Sequence, residues 1–319
     1  MNQKQPAGLG LVSIALAALA AACSNAPIEP DFETIGHRGS PLRAAENTLP
    51  SFEIALEEGA DGFETDLCVT QDNRIVIWHD RDPDSAESIL RQRGGERLLY
   101  SPVAPSFGDP ARRPVSQLTL DELRAKYGYA RDGERDPDAQ IPELSELFNW
   151  LAEEGQQVKA LYLDIKLVPG EEEQAAFIVQ RVHEESPKAS AARIYFLSVH
   201  DEIALALEAE RVRLGAERFR VARDFEEDGA LETLKELGLR DATTGLTIIR
   251  ERDDYMDEIE DLVAARDQGE IDQVVAWTIN DPEDQEDLIQ RGVDGILTDE
   301  PAKLRDVYRE ILADAQAAE

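Results

Sequence analysis

Short apolar runs alternate with amphipathic segments along most of this 319-residue chain. Such runs predict strands, and the segments between them have helical periodicity. The predicted strands cover residues 34–37, 62–70, 74–79, 160–167, 193–200, 219–222, 245–249, 273–279 and 295–298. The predicted helices cover residues 49–58, 120–126, 144–154, 171–185, 202–210, 231–237, 255–266, 282–291 and 302–315. About eight strand–helix units over a span of this size predict an α/β fold, a (β/α)8 TIM barrel across residues 34–319.

Residues 81–140 interrupt this alternation, because the segment has many Arg, Gly and Pro residues and only one predicted helix. We interpret it as an insertion after the second strand unit, since a loop of this length is usually functional or disordered. Its apolar residues argue against disorder; they are Leu98, Leu99, Tyr100 and Phe107. We expect the insertion to pack over the mouth of the barrel and to influence the choice of substrate. The alternative is a surface segment on the side of the barrel that has no role at the mouth.

The N-terminus has the organisation of an export signal. Lys4 precedes a short apolar run over residues 9–22, and Cys23 follows small residues. A run of this length is short for a membrane span. It resembles a bacterial lipoprotein signal, so we expect residues 1–22 to be removed, Cys23 to carry lipid and residues 23–33 to form a tether. An ordinary secretory signal and an uncleaved anchor are the alternatives.

We therefore expect the protein to be exported and anchored through lipid to a bacterial membrane, at the outer membrane or the periplasmic face if the host is Gram-negative. Ser24 follows the cysteine. The absence of an aspartate at this position favours the outer membrane if the host is Gram-negative.

The chain is strongly acidic, with 67 acidic and 33 basic residues and a formal net charge of -34. Nucleic acid and bare anionic membrane surfaces are therefore poor partners. The sequence contains no P-loop, no glycine-rich dinucleotide motif, no Gly-x-Ser-x-Gly motif and no Cys/His zinc set. If Cys23 carries lipid, Cys68 has no intramolecular partner, and the core must stabilise the fold without a disulfide.

Three acidic residues are predicted to point into the barrel. Glu64 and Asp66 lie on the face of their strand opposite Phe63 and Leu67, which belong against the helices. Asp164 has the same orientation in the strand at residues 160–167. Buried carboxylates need a cation or an ion pair. An all-oxygen set favours one divalent cation, Ca²⁺ or Mg²⁺. Ion pairs with a barrel lysine or arginine are the alternative.

Two of the four histidines, His37 and His79, lie at predicted strand ends. The carboxyl ends of barrel strands build the active site in this fold. Imidazoles transfer protons near neutral pH, and Arg38 and Lys166 can bind phosphate oxygens. Together with the acids, these residues predict metal-assisted phosphoryl transfer. One histidine would act as the base and the other as the acid, in either assignment.

Four further residues are expected to support this site. Glu46 and Asn47 would order the loop after His37. Trp277 would line the substrate pocket or pack in the core, and His200 ends a predicted strand.

An ordered set of motifs resembles the glycerophosphodiester phosphodiesterase family over about residues 34–305. The first motifs are His37-Arg38-Gly39, Glu46-Asn47-Thr48, Gly59-Ala60-Asp61, Glu64-x-Asp66 and His79-Asp80. The later ones are Ile141-Pro142-x-Leu144, Leu163-Asp164-Ile165-Lys166, Trp277-Thr278-Ile279-Asn280 and Asp294-Gly295-Ile296-Leu297-Thr298-Asp299. The resemblance implies a TIM barrel, a small-molecule glycerophosphodiester substrate, and hydrolysis to an alcohol and sn-glycerol 3-phosphate. It also implies a divalent cation bound by the three acids.

Two departures from the family pattern leave alternatives open. The family usually has Glu where Asp164 stands, and the shorter side chain would shift the cation or admit another water. A short Arg-Thr-Thr-Gly-like run is missing after His79-Asp80. Asp164 with Lys166 also resembles sphingomyelinase D enzymes. A lysophospholipase D or sphingomyelinase D-like activity is therefore one alternative, and a non-catalytic surface binding protein on the same barrel is the other.

Overall fold

The computed structural model describes residues 32–153, 158–186, 192–247 and 250–318. The expected signal peptide, Cys23 and the tether up to residue 31 lie outside this range. Within it, no helix combines the length and apolar character needed to cross a membrane.

Strands and helices alternate along the described part of the chain. The strands are β1 (Glu33–Gly36), β2 (Gly62–Val69), β3 (Ile75–Ile77), β4 (Ser101–Val103), β5 (Gly128–Arg131), β6 (Glu134–Arg135), β7 (Ala160–Ile165), β8 (Arg193–Ser198), β9 (Phe219–Phe225), β10 (Asp241–Gly245), β11 (Gln273–Trp277) and β12 (Gly295–Thr298). The helices are α1 (Leu49–Glu57), α2 (Ala86–Gln92), α3 (Leu120–Lys126), α4 (Leu144–Glu153), α5 (Glu172–Glu185), α6 (Asp201–Leu214), α7 (Ala230–Leu237), α8 (Arg252–Asp267), α9 (Pro282–Arg291) and α10 (Pro301–Ala318).

Eight parallel strands close into a barrel in the order β1, β2, β7, β8, β9, β10, β11 and β12. Strand β1 closes the barrel, because Gly36 is opposite Thr298 of β12 on one side and Phe63 of β2 on the other. Helices connect successive strands, so all eight carboxyl ends meet at one mouth. The predicted (β/α)8 barrel is confirmed.

Alternation along the strands divides the core into two layers. Inward residues such as Ile35, Tyr162 and Leu297 fill the barrel, and Tyr162 stacks on Tyr195 with ring centroids 4.6 Å apart. Outward residues such as Leu163 pack under the helices. Each fully buried large apolar side chain contributes about 1.5–3 kcal/mol. Polar inward residues lie at both ends of the barrel: Glu33 and Gln273 contact the Tyr162 hydroxyl at the amino ends of their strands, and other polar residues line the mouth.

Side-chain caps explain where several helices begin. In α3, Thr119 accepts a hydrogen bond from the backbone N–H of Glu122, and the Glu122 carboxylate accepts one from the backbone N–H of Thr119. In α9, the side chain of Asp281 accepts from the backbone of Glu283, and Pro282 occupies the first helical position. Both arrangements satisfy amide groups that a helix end leaves free.

Two predicted strands differ from the structure in pairing or position. The predicted strand at residues 74–79 is the shorter β3, which pairs antiparallel with β2 and is not a barrel strand. Asn73 adopts a left-handed φ of 56° in the tight turn, and such a turn returns the chain antiparallel, whereas a parallel neighbour needs a crossover.

The strand predicted at residues 245–249 is β10, at Asp241–Gly245. Its residues are mostly polar but buried, because neighbouring strands supply their partners. Arg220 donates two hydrogen bonds to Asp241, and Thr243 donates one to Asp224. Hydrophobic periodicity cannot detect a strand of this kind.

The insertion follows the β2–β3 hairpin, in agreement with its predicted place, and it is more structured than predicted. It contains α2, α3 and a three-stranded sheet of β4, β5 and β6. Trp78 packs within 5.1 Å of the Tyr129 ring centroid in a second apolar core. Phe107, one of the apolar residues that argued against disorder, is 68% exposed and stacks against Arg112. The insertion is therefore a folded subdomain.

Candidate active site

One cavity of about 420 Å³ opens at the mouth of the barrel. It brings together nine of the predicted site residues: His37, Arg38, Glu64, Asp66, His79, Asp164, Lys166, His200 and Trp277. Glu46 and Asn47 are buried and contact this set without lining the cavity. The first helix of the insertion, α2, contributes Glu87 and Ser88 to the wall, so part of the insertion does cover the mouth.

The three predicted acids converge at this mouth. Asp66 of β2 and Asp164 of β7 are opposite each other in the parallel ladder, and Glu64 precedes Asp66 on the same face. One oxygen from each carboxylate lies within 4.8 Å of the other two. Two oxygens that share an ion at about 2.0–2.6 Å are at most about 5 Å apart. The group is therefore compact enough to hold a divalent cation.

The acids are only partly neutralised by the protein. Lys166 Nζ lies 2.6 Å from Asp164 and 3.1 Å from Asp66, so the ion-pair alternative is realised for these two residues. Burial, with the charges of Asp66 and Asp164, raises the pKa of Glu64 well above its usual value. Burial would also raise the pKa of Asp66, but Lys166 and Arg38 lower it to about 2. A cation would relieve the remaining repulsion.

The loop after β1 orders the ligands. Arg38 and Asn47 both have left-handed φ angles, 53° and 56°, which cost about 1–3 kcal/mol each in a non-glycine residue. In this conformation the Asn47 side chain donates to Asp66 Oδ2 at 2.6 Å and accepts from the Asp66 amide. The Arg38 amide donates to Glu64 at 2.9 Å, and its guanidinium donates to Glu46. These contacts agree with the expected ordering role of Glu46 and Asn47.

His37 is oriented by two residues that belong to the family motifs but were not predicted as site residues. Its Nδ1 lies 2.8 Å from Asp299, just after β12, and Asp299 also accepts a hydrogen bond from Asn280. This leaves Nε2 as the nitrogen for proton transfer at the cavity. The sequence contained a sign of this role, because Asp299 directly follows a barrel strand, as site residues do in this fold.

His79 is held by its neighbour and by the insertion. Nδ1 lies 2.8 Å from Asp80 Oδ1, and Nε2 lies 3.3 Å from Glu87 of α2. Burial lowers the pKa of His79 well below its usual value, and the positive charges of Arg38 and Lys166 lower it further. The free imidazole is therefore neutral at neutral pH.

A further carboxylate was missed because the predicted strand at residues 219–222 stops too early. Strand β9 continues to Phe225 and places Asp224 in the cavity wall, where it is 6% exposed. Burial and the charge of Asp164 raise the pKa of Asp224 to about 7.

Trp277 lies across Gly245, where a Cβ atom would be 2.9 Å from the indole ring.

Comparison with known proteins gives one consistent result. The glycerophosphoryl diester phosphodiesterase family matches residues 37–303. A glycerophosphodiester phosphodiesterase of Caldanaerobacter subterraneus is 27% identical over 277 residues, which are 86% of this chain and 97% of that protein.

Solved structures share the barrel. A glycerophosphodiester phosphodiesterase from Parabacteroides distasonis superposes with a TM-score of 0.61 at 22% identity, over 89% of this chain and 98% of that one. A phosphodiesterase from Oleispira antarctica, in complex with the product sn-glycerol-3-phosphate, superposes with a TM-score of 0.63 at 21% identity. The superposition covers 86% of this chain and 96% of that one. The fold is shared at these identities, and the family match covers most of the sequence. The chain therefore belongs to the glycerophosphoryl diester phosphodiesterase family of enzymes.

Proposed function

We propose that this enzyme hydrolyses glycerophosphodiesters to an alcohol and sn-glycerol 3-phosphate, with one divalent cation bound by Glu64, Asp66 and Asp164. The observation that carries the proposal is that these three acids share a single cavity with His37 and His79. The product complex of the Oleispira antarctica relative supports the substrate class.

The donor set favours a hard cation, because it consists of carboxylate oxygens alone. When bound, Ca²⁺ or Mg²⁺ would withdraw charge from the phosphate oxygens. Arg38 and Lys166 line the same cavity and would bind the phosphate as fixed positive charges. Both are held in place by the acids that they neighbour, so their positions cost little to organise when substrate binds.

Two histidines provide the proton transfers. One takes a proton from the nucleophile and the other gives a proton to the leaving alcohol oxygen. Each imidazole has a carboxylate at Nδ1, Asp299 for His37 and Asp80 for His79, so Nε2 is the reacting nitrogen in both. The nucleophile is water or the 2-hydroxyl of the glycerol group. Phosphorus NMR during turnover separates the two, since the second route passes through a cyclic phosphate.

The central test is an assay of the purified protein on a panel of glycerophosphodiesters with Ca²⁺ or Mg²⁺. We expect chelation by EDTA to abolish turnover, and His37→Ala or His79→Ala to lower kcat by about 10²–10⁴-fold. His183→Ala is the matched control, because His183 is exposed on α5 and far from the proposed chemistry by its position in the helix layer. Near wild-type turnover in either active-site variant would remove that histidine from the mechanism.

The rival activity has a different product pattern. A lysophospholipase D or sphingomyelinase D-like enzyme releases choline from the lipid substrate faster than from glycerophosphocholine. Absence of turnover on every phosphodiester, with retained ligand binding, would favour the surface binding protein.

We also propose that the insertion contacts the leaving alcohol, since α2 lines the cavity beside His79. Glu87 would favour cationic alcohols such as choline or ethanolamine over neutral ones. Glu87→Gln should therefore lower kcat/KM for glycerophosphocholine more than for glycerophosphoglycerol. An unchanged ranking of the two substrates would contradict this role.

The N-terminal segment is proposed to anchor the enzyme by a lipid on Cys23, with export to the membrane surface. Its support is the sequence pattern alone. Cys23→Ala should release the protein from the membrane fraction or block its processing. Failure of the wild-type chain to incorporate radioactive palmitate would contradict lipidation.

A further inference from the structure

The insertion contributes a fully buried arginine to the region beneath the active site. Arg91 lies in α2 and its side chain is 1% exposed. A buried guanidinium is costly unless its donors meet acceptors, and breaking a buried ion pair typically costs about 3–5 kcal/mol. The planar fork of arginine is suited to several acceptors in one plane. The position of Arg91 thus depends on what it contacts.

Arg91 meets one carboxylate with each of its nitrogens. Its Nε donates to Asp80 Oδ1 at 2.7 Å, and its two terminal nitrogens donate to Glu46 and Glu96. These acids come from three different places. Asp80 follows β3, Glu46 lies in the loop between β1 and α1, and Glu96 lies in the insertion. One side chain from the insertion therefore joins two loops of the barrel.

Both barrel acids continue to a residue of the active site. The oxygen of Asp80 that accepts from Arg91 also lies 2.8 Å from His79 Nδ1. The second oxygen of Glu46 accepts from the Arg38 guanidinium at 2.9 Å. Two short chains of contacts therefore begin at Arg91, and they end at His79 and at Arg38.

We propose that Arg91 is a positioning residue that holds His79 and Arg38 in their working orientations, so that the insertion completes the active site as well as covering it. The inference rests on the proposed function, because it takes these two residues as those that act on the substrate. Arg91 itself does not line the cavity.

The charge of Arg91 also keeps Asp80 able to accept a hydrogen bond. Burial raises the pKa of Asp80 to about 6, although Arg91 lowers it. Without the guanidinium, the pKa of the Asp80 carboxyl group would rise further, so that more of it would hold a proton at neutral pH and act as a donor towards His79 Nδ1. The imidazole would lose the acceptor that fixes its tautomer and ring orientation.

The test compares Arg91→Gln with Arg112→Gln. Arg112 is a matched control, because it is also a buried arginine of the insertion, with a side chain that is 4% exposed. It bonds only to other residues of the insertion, Asp84, Gln92, Pro83 and Pro105. We expect Arg91→Gln to lower kcat by about 10–100-fold at a temperature where the variant is folded. Arg112→Gln should keep kcat within about threefold of wild type while it lowers Tm, since it removes no contact to the site.

A conservative variant separates positioning from folding. Arg91→Lys keeps the charge but not the three-way fork, so it should fold and recover part of the lost kcat. If Arg91→Gln does not fold, Arg91→Lys takes its place in the comparison with Arg112→Gln. Arg91→Lys should still turn over more slowly than wild type. Equal losses in the Arg91 and Arg112 variants, or wild-type kcat in folded Arg91→Gln, would overturn the proposal.

A spectroscopic measurement distinguishes this proposal from the proposed function. The chain has only four histidines, so nitrogen-15 NMR of the imidazoles can be assigned with single His→Ala variants. Arg91→Gln should shift the His79 resonances and leave those of His183 unchanged. If the wild type hydrolyses no glycerophosphodiester but this shift occurs, the function fails and the positioning contact stands. If the wild type is active and His79 does not respond to Arg91→Gln, the positioning proposal fails.

Discussion

Replacing Lys166 with methionine tests how the acids are stabilised when no cation is bound. Lys166 Nζ lies 2.6 Å from Asp164 and 3.1 Å from Asp66, and only 24% of the lysine side chain is exposed. Lys166→Met keeps the aliphatic part of the side chain and removes the charge. We expect the variant to be less stable than wild type in EDTA and to gain more stability from Ca²⁺ or Mg²⁺, because the cation replaces the missing charge.

The magnitude follows from the pKa of Asp66. Against the effect of burial, Lys166 and Arg38 lower this pKa from 3.8 to about 2. At about 1.4 kcal/mol per pKa unit, the difference corresponds to about 2 kcal/mol, and Lys166 is the largest of the favourable contributions to it. A pKa that is lowered on folding stabilises the protein above the unfolded value and stops doing so as the pH falls through the folded value. The difference between wild type and Lys166→Met should therefore be present at pH 7 and shrink between about pH 4 and 2.

The assay is urea unfolding and calorimetry at pH 7, in EDTA and with saturating cation. A loss of about 2–3 kcal/mol corresponds to a Tm decrease of roughly 3–5 °C in a domain of this size. Lys159→Met is the matched control, since Lys159 pairs with Asp61 at 2.7 Å but is 66% exposed, and such a pair contributes less than about 1 kcal/mol. Equal stability of wild type and Lys166→Met in EDTA would refute the reasoning.

Three more variants test the acid, the barrel and the insertion. Because burial raises the pKa of Asp224 to about 7, the ionised carboxyl group destabilises the wild type as the pH rises from about 4 to 7. In urea unfolding, the stability of Asp224→Asn should therefore increase by up to about 4 kcal/mol relative to wild type over that range. A stability difference that does not change with pH would contradict this. Gly62→Ala should cost at least about 1–3 kcal/mol in the same assay, because its Cβ would lie 2.0 Å from the Ala160 carbonyl oxygen. An unchanged unfolding midpoint would show that β2 and β7 can separate to make room. Trp78→Ala should cost about 3–5 kcal/mol, and a change below about 1 kcal/mol would mean that the second core contributes little.

Hydrophobic patterns were sufficient to predict most of the fold. Barrel strands bury both faces and appear as short apolar runs, whereas each helix buries one face and shows helical periodicity. The predicted helices at residues 120–126 and 282–291 have the same bounds as α3 and α9, since capping residues and the helical spacing of apolar residues are local features of the sequence. The pattern failed for β10, whose buried polar residues are satisfied by neighbouring strands, and for α2. The buried residues of α2 include Ser88 and Arg91, so it has no apolar stripe.

The sequence by itself determined which residues reach the mouth of the barrel. His37 stands at the end of a predicted strand, and strand alternation assigns Glu64, Asp66 and Asp164 to the inward face. These are properties of each strand alone, so no knowledge of the neighbouring strands was needed.

Only the tertiary structure decided how these residues are held. His37 and its partner Asp299 are 262 positions apart in the chain, and Arg91 reaches Glu46 across 45 positions. Barrel closure brings β12 beside β1, and the folded insertion carries Arg91 beneath the mouth. Such contacts depend on the packing of whole elements, and no local periodicity records them. The sequence therefore specified most of the candidate site residues, while their orientation and charge state followed from the closed barrel.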